Sequence, residues 1–369
     1  MPDNLDHEST NECPNIKERI RQAHSEDGVR IWQAIGRTQT SKNHQNCNVA
    51  RCVANDIAHT DDSPSHVRAD CTCGSDGPAP GELLSLAEQG SMPVVRFDAE
   101  RVALDAWTPD IPLIAISHAL SDGLCNRRGN DLPQCQLRSL KESTTAAMSR
   151  LGYPEGSPFQ VWIDVLCIPA REVQPGGTSE DAVQTMQMVA TTAWAVLVVD
   201  SDISRLPQSC SFQHAFFSIL YSSWNSRLWT LYEAMRAKWL LFQFADGVLD
   251  LDDIESKRGI EIEGSSDHFP PSLPYRELYS MLCGEDPVMA DTWSWVSASL
   301  RGRRTNYLKD ACFIFRSLFS ISLDPGRLEV TGTPNTLDDE QMMAFYLQLA
   351  QQATHPPIPN GIHNTNARQ

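Results

Sequence analysis

The chain has 369 residues, 41% hydrophobic and 21% charged, an ordinary globular composition long enough for one large domain or two smaller ones. Its 47 acidic against 30 basic residues leave a formal net charge of −17, which argues against nucleic-acid binding by phosphate neutralisation and against adhesion to anionic membranes. No stretch approaches the roughly 18 apolar residues of a bilayer span, and the N-terminal MPDNLDHESTNECPN has neither the basic start nor the apolar core of a secretory signal, so a cytoplasmic protein is expected.

Residues 1–80 are polar, rich in Asn, Asp, Ser and His, with little apolar periodicity. The exception is a helix-like piece from Asn15 to Ile35, in which Ile16, Ile20, Val29, Ile31 and Ile35 are loosely spaced. Of eleven cysteines, four are concentrated between Cys47 and Cys73, interleaved with His59 and His66; the others, Cys13, Cys125, Cys135, Cys167, Cys210, Cys283 and Cys312, are scattered. In a reducing compartment such cysteines are free thiols or metal ligands rather than disulfides. Thiolates and imidazoles suit tetrahedral zinc, and a segment poor in apolar residues could use a metal to order itself. The candidate ligands are Cys47, Cys52, His66, Cys71 and Cys73; because Cys-x-Cys is not the usual Cys-x2-Cys knuckle, free thiols in a loose segment are the alternative.

After a turn-rich linker at Gly74–Pro80, strand and helix patterns alternate from Ile111. IPLIAIS (111–117) is a short apolar run of the kind a buried parallel strand shows. Leu137, Leu140, Thr144, Met148 and Leu151 follow helical spacing up to a stop at Gly152 and Pro154. QVWIDVLCI (160–168) reads as a second strand. Thr178 to Asp181 reads as a capping box, opening a helix with Val183, Met186, Ala190, Ala193 and Trp194 on one face. AVLVVD (195–200) is a third strand. Beyond a longer connection, Ser226 is placed to cap a helix carrying Leu228, Leu231, Tyr232, Met235 and Trp239, and LLFQFAD (240–246) is a fourth strand. This alternation predicts an α/β domain with a parallel sheet and helices on both faces. Further helices are expected at Glu277–Met281, Thr292–Leu300, Asp310–Phe319 and Asp338–Gln352, with a disordered tail after Pro356. The expected organisation is a polar, partly disordered N-terminal extension (1–80), the α/β domain (81–250), a helical C-terminal extension (251–355) and the tail (356–369).

Ligands of open α/β sheets bind at the carboxyl ends of the strands. That rule singles out Ser117 and His118 at the end of the first strand and Asp122 in the loop beyond; Asp122 as a turn cap is the plainer reading. Asp164, mid-strand between apolar neighbours, needs a partner such as Arg227 or a backbone turn and is read as structural. Cys167, His118 and Asp164 could be assembled into a thiol-hydrolase triad, but nothing near Cys167 would lower its pKa, so a buried structural cysteine is favoured. Glu233 is either a surface glutamate paired with Arg227 or Arg236, or a functional carboxylate at a cleft rim beside Trp229.

Three ordered segments resemble the blocks of the fungal heterokaryon-incompatibility (HET) domain. LIAISHALSDG (113–123) is similar to the family's Tyr-x-x-Leu-Ser-His/Tyr-x-Trp-x-x-Gly block, VWIDVLCIP (161–169) to its Trp-Ile-Asp-x-Leu-Cys-Ile/Val run, and SRLWTLYEAMRAKWLLFQFADG (226–247) to its Arg-x-Trp-Thr-x-x-Glu block. NDLPQCQLRSL (130–140) and RGRRTNYLKDACFIF (301–315) look familial too, so the likeness runs over roughly residues 45–350. HET domains resemble TIR domains, which are flavodoxin-like sheets, some of which cleave NAD with a glutamate four residues after a tryptophan. The resemblance therefore implies a flavodoxin/TIR-like fold with Glu233 catalytic and Ser117, His118, Asp122, Trp229 and Arg227 binding the nucleotide. It also implies a role in self/non-self recognition and programmed cell death, with self-association and other incompatibility proteins as partners and no nucleic acid. Leu120 stands where the family has Trp, Cys125 where glycine is common, and Pro169-Ala170 where Asn-Gln is frequent. Those departures keep open a non-catalytic signalling module that acts by self-association.

Overall fold

The computed structural model describes residues 12–36, 42–55, 63–98, 101–126, 129–170, 180–264, 300, 302–305, 308–319 and 337–351. Its strands are β1 (Ser75–Asp76), β2 (Pro93–Phe97), β3 (Val102–Ala106), β4 (Leu113–His118), β5 (Leu132–Pro133), β6 (Gln160–Trp162), β7 (Ala195–Val199), β8 (Leu240–Phe244) and β9 (Gly247–Asp250). The helices are α1 (Pro14–Gly36), α2 (Pro80–Glu88), α3 (Gln134–Arg150), α4 (Asp164–Cys167), α5 (Glu180–Thr192), α6 (Phe212–Leu220), α7 (Leu228–Arg236), α8 (Leu251–Gly264), α9 (Leu308–Phe319) and α10 (Asp339–Gln351). No helix among the described residues is long and apolar enough to cross a membrane.

The molecule is α/β, built on a seven-stranded mixed sheet ordered β3-β2-β6-β4-β7-β8-β9 and flanked by helices. The four apolar runs of the sequence supply its parallel centre, β6-β4-β7-β8. Every residue of β4 is buried, which explains why the run is continuously apolar instead of alternating. The expectation of a wholly parallel sheet is corrected at both edges. Hairpin β2–β3 joins β6 through the antiparallel pair Val95↔Val161, and β9 folds back on β8 with Phe244 opposite Gly247. The connections β2–β3 and β8–β9 are so short that they can only reverse the chain, so those two pairs must be antiparallel.

QVWIDVLCI is not one strand. It leaves the sheet after Trp162 and turns into α4, with Ile168 N bonded to Asp164 O at 2.8 Å. Asp164 Oδ1 accepts the N–H of Val165 at 2.7 Å, a local side-chain bond that competes with sheet pairing and opens a helical turn. Asp164 therefore sits at a strand exit. α3 forms where its periodicity places it and ends on Gly152 at φ +73, with Tyr153 N returning to Met148 O at 2.9 Å, a Schellman closure. Thr178, the start of the proposed capping box, lies outside the described residues, as do the helices expected at 277–281 and 292–299 and the tail.

α7 begins one residue later than Ser226 would place it, with Arg227 at the cap position and no side-chain cap. Leu228 N donates instead to Arg304 O at 2.9 Å, so tertiary structure satisfies a donor that the sequence assigns to a serine. α1 packs on α6, the ring of His24 lying 5.3 Å from Phe217 and 5.9 Å from Phe216. Burial pushes His24 down to about 4. Ile16, Ile20 and Val29 of α1 thereby join the main core together with the sheet, α6, α7, α9 and α10.

Candidate functional site

β4 is followed in the chain by its neighbour on one side, β6, and then by its neighbour on the other, β7. Its carboxyl end is thus the point where the connections diverge, the usual place for a ligand in an open parallel sheet. Four carboxylates and a histidine gather there. Ser117 and His118 end β4, Asp122 lies in the 3₁₀ turn Leu120–Asp122, Asp164 follows β6, Asp200 follows β7, and Glu233 reaches in from α7.

Two hydrogen-bonded chains organise these groups. In the first, the Trp224 indole N–H donates to Ser117 Oγ at 2.7 Å, and Ser117 Oγ–H donates to Glu233 Oε2. Burial pushes half-buried Glu233 up to about 7 despite that bond. Beside it, His118 Nε2 lies 2.7 Å from Asp164 Oδ1. Burial opposes charge on both partners, but each holds the other ionised, so His118 is raised and Asp164 lowered. As an imidazolium, His118 carries hydrogen on both nitrogens, and its buried Nδ1 has no partner among the described residues. A buried N–H of this kind is what a bound oxygen atom would satisfy.

The second chain settles a proton by counting. Ser223 Oγ lies 2.7 and 2.8 Å from the two oxygens of Asp122 and 2.7 Å from Asp200 Oδ2, yet it has one hydrogen to give. One carboxyl must hold the missing proton. Burial first, and then the charge of Asp122, push Asp200 up to about 7. Asp122 is also buried, but the Lys42 ammonium beside it keeps its carboxyl below the usual range. The order is therefore Asp200–OH to Ser223 Oγ, Ser223 Oγ–H to Asp122, and Asp122 to Lys42. Ser201 N–H adds a bond to Asp122 Oδ2 at 3.0 Å.

Glu233 and Asp200 are acids whose folded pKa lies above the unfolded value. The stability they contribute is complete below the ordinary carboxylate range and is lost as pH rises through about 7. Asp122 and Asp164 act with the opposite sign at lower pH. The difference in urea midpoint between the wild type and Glu233→Gln isolates the first contribution, since glutamine can still accept from Ser117. That difference should change steadily between about pH 5 and pH 8; a flat one would mean that Glu233 titrates as an ordinary carboxylate.

Of the residues singled out in the sequence, Ser117, His118, Asp122 and Glu233 are brought to one strand end. Trp229 and Arg227 are placed elsewhere. The Trp229 indole donates to Asp310 Oδ2 at 2.8 Å and its ring lies 5.6 Å from Phe313, so it joins α7 to α9. Four residues advance a helix by one turn and about 40°. In the corner between β4 and α9 that is enough to send Glu233 one way and Trp229 the other. Arg227 caps α7, its carbonyl accepting from Arg303 Nη1 at 2.8 Å. Asp164 pairs with His118 and not with Arg227. Cys167 is 1% exposed and burial pushes it up to about 12, which removes the thiolate that a hydrolase triad needs. Four members of the site escaped sequence reading: Lys42, Asp200, Ser223 and Trp224. Asp200 carried the signal used for His118, a polar residue closing a parallel strand; the other three lie in segments without periodicity.

The Cys/His cluster is two sites. Ligand atoms of Cys13, His44, Cys47 and Cys52 lie within 4.8 Å of one another, and so do those of His66, Cys71, Cys73 and Cys135; each group could hold a metal ion. The five candidates thus separate into a pair, Cys47 and Cys52, completed by Cys13 and His44, and a triple, His66, Cys71 and Cys73, completed by Cys135. Cys13 and Cys135 are far from the cluster in sequence; Cys13 stands just before α1, which packs on α6, and Cys135 follows β5, whose pairing with β1 returns it to the neighbourhood of Cys73. His44-x2-Cys47 is the spacing that could have revealed His44. His59 lies outside the described residues. Comparison with protein families, with curated proteins and with solved structures finds no match for the chain.

Proposed function

We propose that the chain is a heterokaryon-incompatibility-type protein of fungal self/non-self recognition and cell death, acting through a TIR-like site that cleaves NAD at the end of β4. The observation that carries this reading is the Ser117–Glu233 hydrogen bond, which holds a carboxylate titrating near neutrality at the divergence point of the parallel strands. The chain order of those strands across the sheet, second-first-third-fourth, is that of flavodoxin-like folds, and it supports the likeness drawn from the sequence blocks.

Cleavage breaks the bond from ribose C1′ to the nicotinamide nitrogen, and its electron pair neutralises the leaving ring, so no acid is required. Positive charge develops on the ribose, and ionised Glu233 stabilises it and accepts the proton of the attacking water. Ser117 orients the carboxylate, and His118 Nδ1–H is the donor available to an oxygen of the nucleotide. A second reading, a non-catalytic module that self-associates and signals to other incompatibility proteins, is favoured by Trp229, whose indole is committed to Asp310.

Incubating the concentrated protein with NAD separates the two. The wild type should consume it, and Glu233→Gln should be slower by about 10²-fold or more. No consumption by the wild type defeats the enzyme reading, and equal rates in both proteins defeat the assignment of Glu233.

A further inference from the structure

We infer that each Cys₃His group binds one Zn²⁺, and that the two ions fasten otherwise coreless N-terminal segments onto the turn carrying Asp122. The geometry of the donors comes first. Tetrahedral zinc, with Zn–S about 2.3 Å and Zn–N about 2.0–2.1 Å, places two sulfurs about 3.8 Å apart and a sulfur and a nitrogen about 3.5 Å apart. Cys47 Sγ and Cys52 Sγ are 3.7 Å apart and lie 3.5 and 3.6 Å from His44 Nδ1. Cys73 Sγ and Cys135 Sγ lie 3.4 and 3.5 Å from His66 Nδ1. A disulfide would bring two sulfurs to about 2.05 Å and leave the third thiol and the imidazole without a role. Three thiolates with one imidazole also select zinc over the harder divalent cations.

The surroundings fit thiolates as well. Val67 N–H points at Cys135 Sγ and Cys135 N–H at Cys73 Sγ, both at 3.4 Å, the backbone donors that steady metal-bound sulfur. In the first site a tight turn, with Asn48 N bonded to Arg51 O at 3.0 Å, folds Cys52 back beside Cys47. Apolar burial cannot order these segments by itself: Val49 is 58% exposed and Val67 55%. A metal–ligand cross-link can.

Each site then reaches the same turn. Lys42, two residues before His44, pairs with Asp122 and donates to Ser121 Oγ at 2.8 Å. Ser65, one residue before His66, donates its N–H to Gly123 O at 2.8 Å, and its carbonyl accepts from Gln136, the neighbour of Cys135, at 2.9 Å. Gly123 has φ +88, and a Cβ there would stand 2.9 Å from the Cβ of Ser65, so the second segment lies tight against the turn. The two ions therefore clamp residues 120–123 from two directions.

Metal analysis of the full-length chain purified with reductant should find two zinc ions per molecule. Cys47→Ser and Cys73→Ser should each retain one, and the double variant none. Should a variant fail to fold, the wild type still decides the matter, because titration of its zinc with a mercurial should release two ions as the ligating thiols react. Stripping zinc with a chelator should raise amide exchange at residues 119–126 about tenfold or more. Fewer than two ions, thiols that react freely in the folded protein, or a disulfide among these cysteines would overturn the metal sites. Two ions with exchange at 119–126 unchanged by their removal would overturn the clamp.

Discussion

Lys42→Met should lower the free energy of unfolding by about 3–5 kcal/mol, the penalty for leaving one member of a buried ion pair unpaired. The side chains of Lys42 and Asp122 are 10% and 3% exposed. The ammonium gives hydrogen bonds to Asp122, to Ser121 Oγ at 2.8 Å and to Asn55 Oδ1 at 3.1 Å, which uses its three hydrogens. Without it, the buried charge of Asp122 would be left with neutral donors, the Ser223 hydroxyl and the Ser201 N–H, and no counter-charge beside it. Asp122→Asn in the Lys42→Met background removes the stranded charge and should recover much of the loss, so the two changes should be strongly non-additive. The sign with pH is also determined. Lys42 lowers the pKa of Asp122, so its contribution is complete above the usual carboxylate range and is lost as pH falls through the folded value. The deficit of Lys42→Met should therefore shrink in acid. Urea unfolding of the four proteins across pH makes the measurement; a loss below about 1 kcal/mol at neutral pH would place the pair with exposed salt bridges and refute the argument.

Trp224 carries the second large effect because it joins the two hydrogen-bonded chains. Fully buried, it sets its ring 5.6 Å from Phe242 at 86°, gives its indole N–H to Ser117 and its backbone N–H to Asp200 Oδ2 at 3.1 Å. Trp224→Ala should cost about 3–5 kcal/mol, chiefly through the cavity it opens. Trp224→Phe keeps the edge-to-face contact but leaves Ser117 without its donor, and should cost about 1–3 kcal/mol. The phenylalanine variant should also change the titration of Glu233, since Ser117 loses the bond that orients it. A Trp224→Phe variant as stable as the wild type would show that packing alone matters and that the indole donor contributes nothing, whereas equal losses for the two variants would show that the cavity adds nothing to the lost donor.

The carboxyl ends of the strands could be found in the sequence because burial on both faces makes β7 and β4 as far as Ile116 apolar, so the polar residues that close those runs stand out. Ser117, His118 and Asp122 were visible for that reason, whereas Asp164 was legible only as a carboxylate within an apolar run, because the turn into α4 was not. The edge strands were not: β2, β3 and β9 are short and only partly covered, and Arg96, Asp105 and Asp250 break the apolar pattern. Trp229 and Glu233 were legible as a spaced pair, but the direction each faces depends on α9, whose contact with α7 no helical period encodes.

By itself, the sequence determined the alternation of strand and helix, the parallel centre of the sheet and the strand end at which polar chemistry collects, since all three follow from local periodicity and burial. Only the tertiary structure decided which distant residues complete that chemistry. Lys42 meets Asp122, Cys13 meets His44, and Cys135 meets His66 because α1, α3 and the N-terminal loops pack around the sheet. A single polar residue announces no partner in sequence; its partner is chosen by the requirement that a charge, thiol or donor taken out of water be satisfied where the fold delivers it.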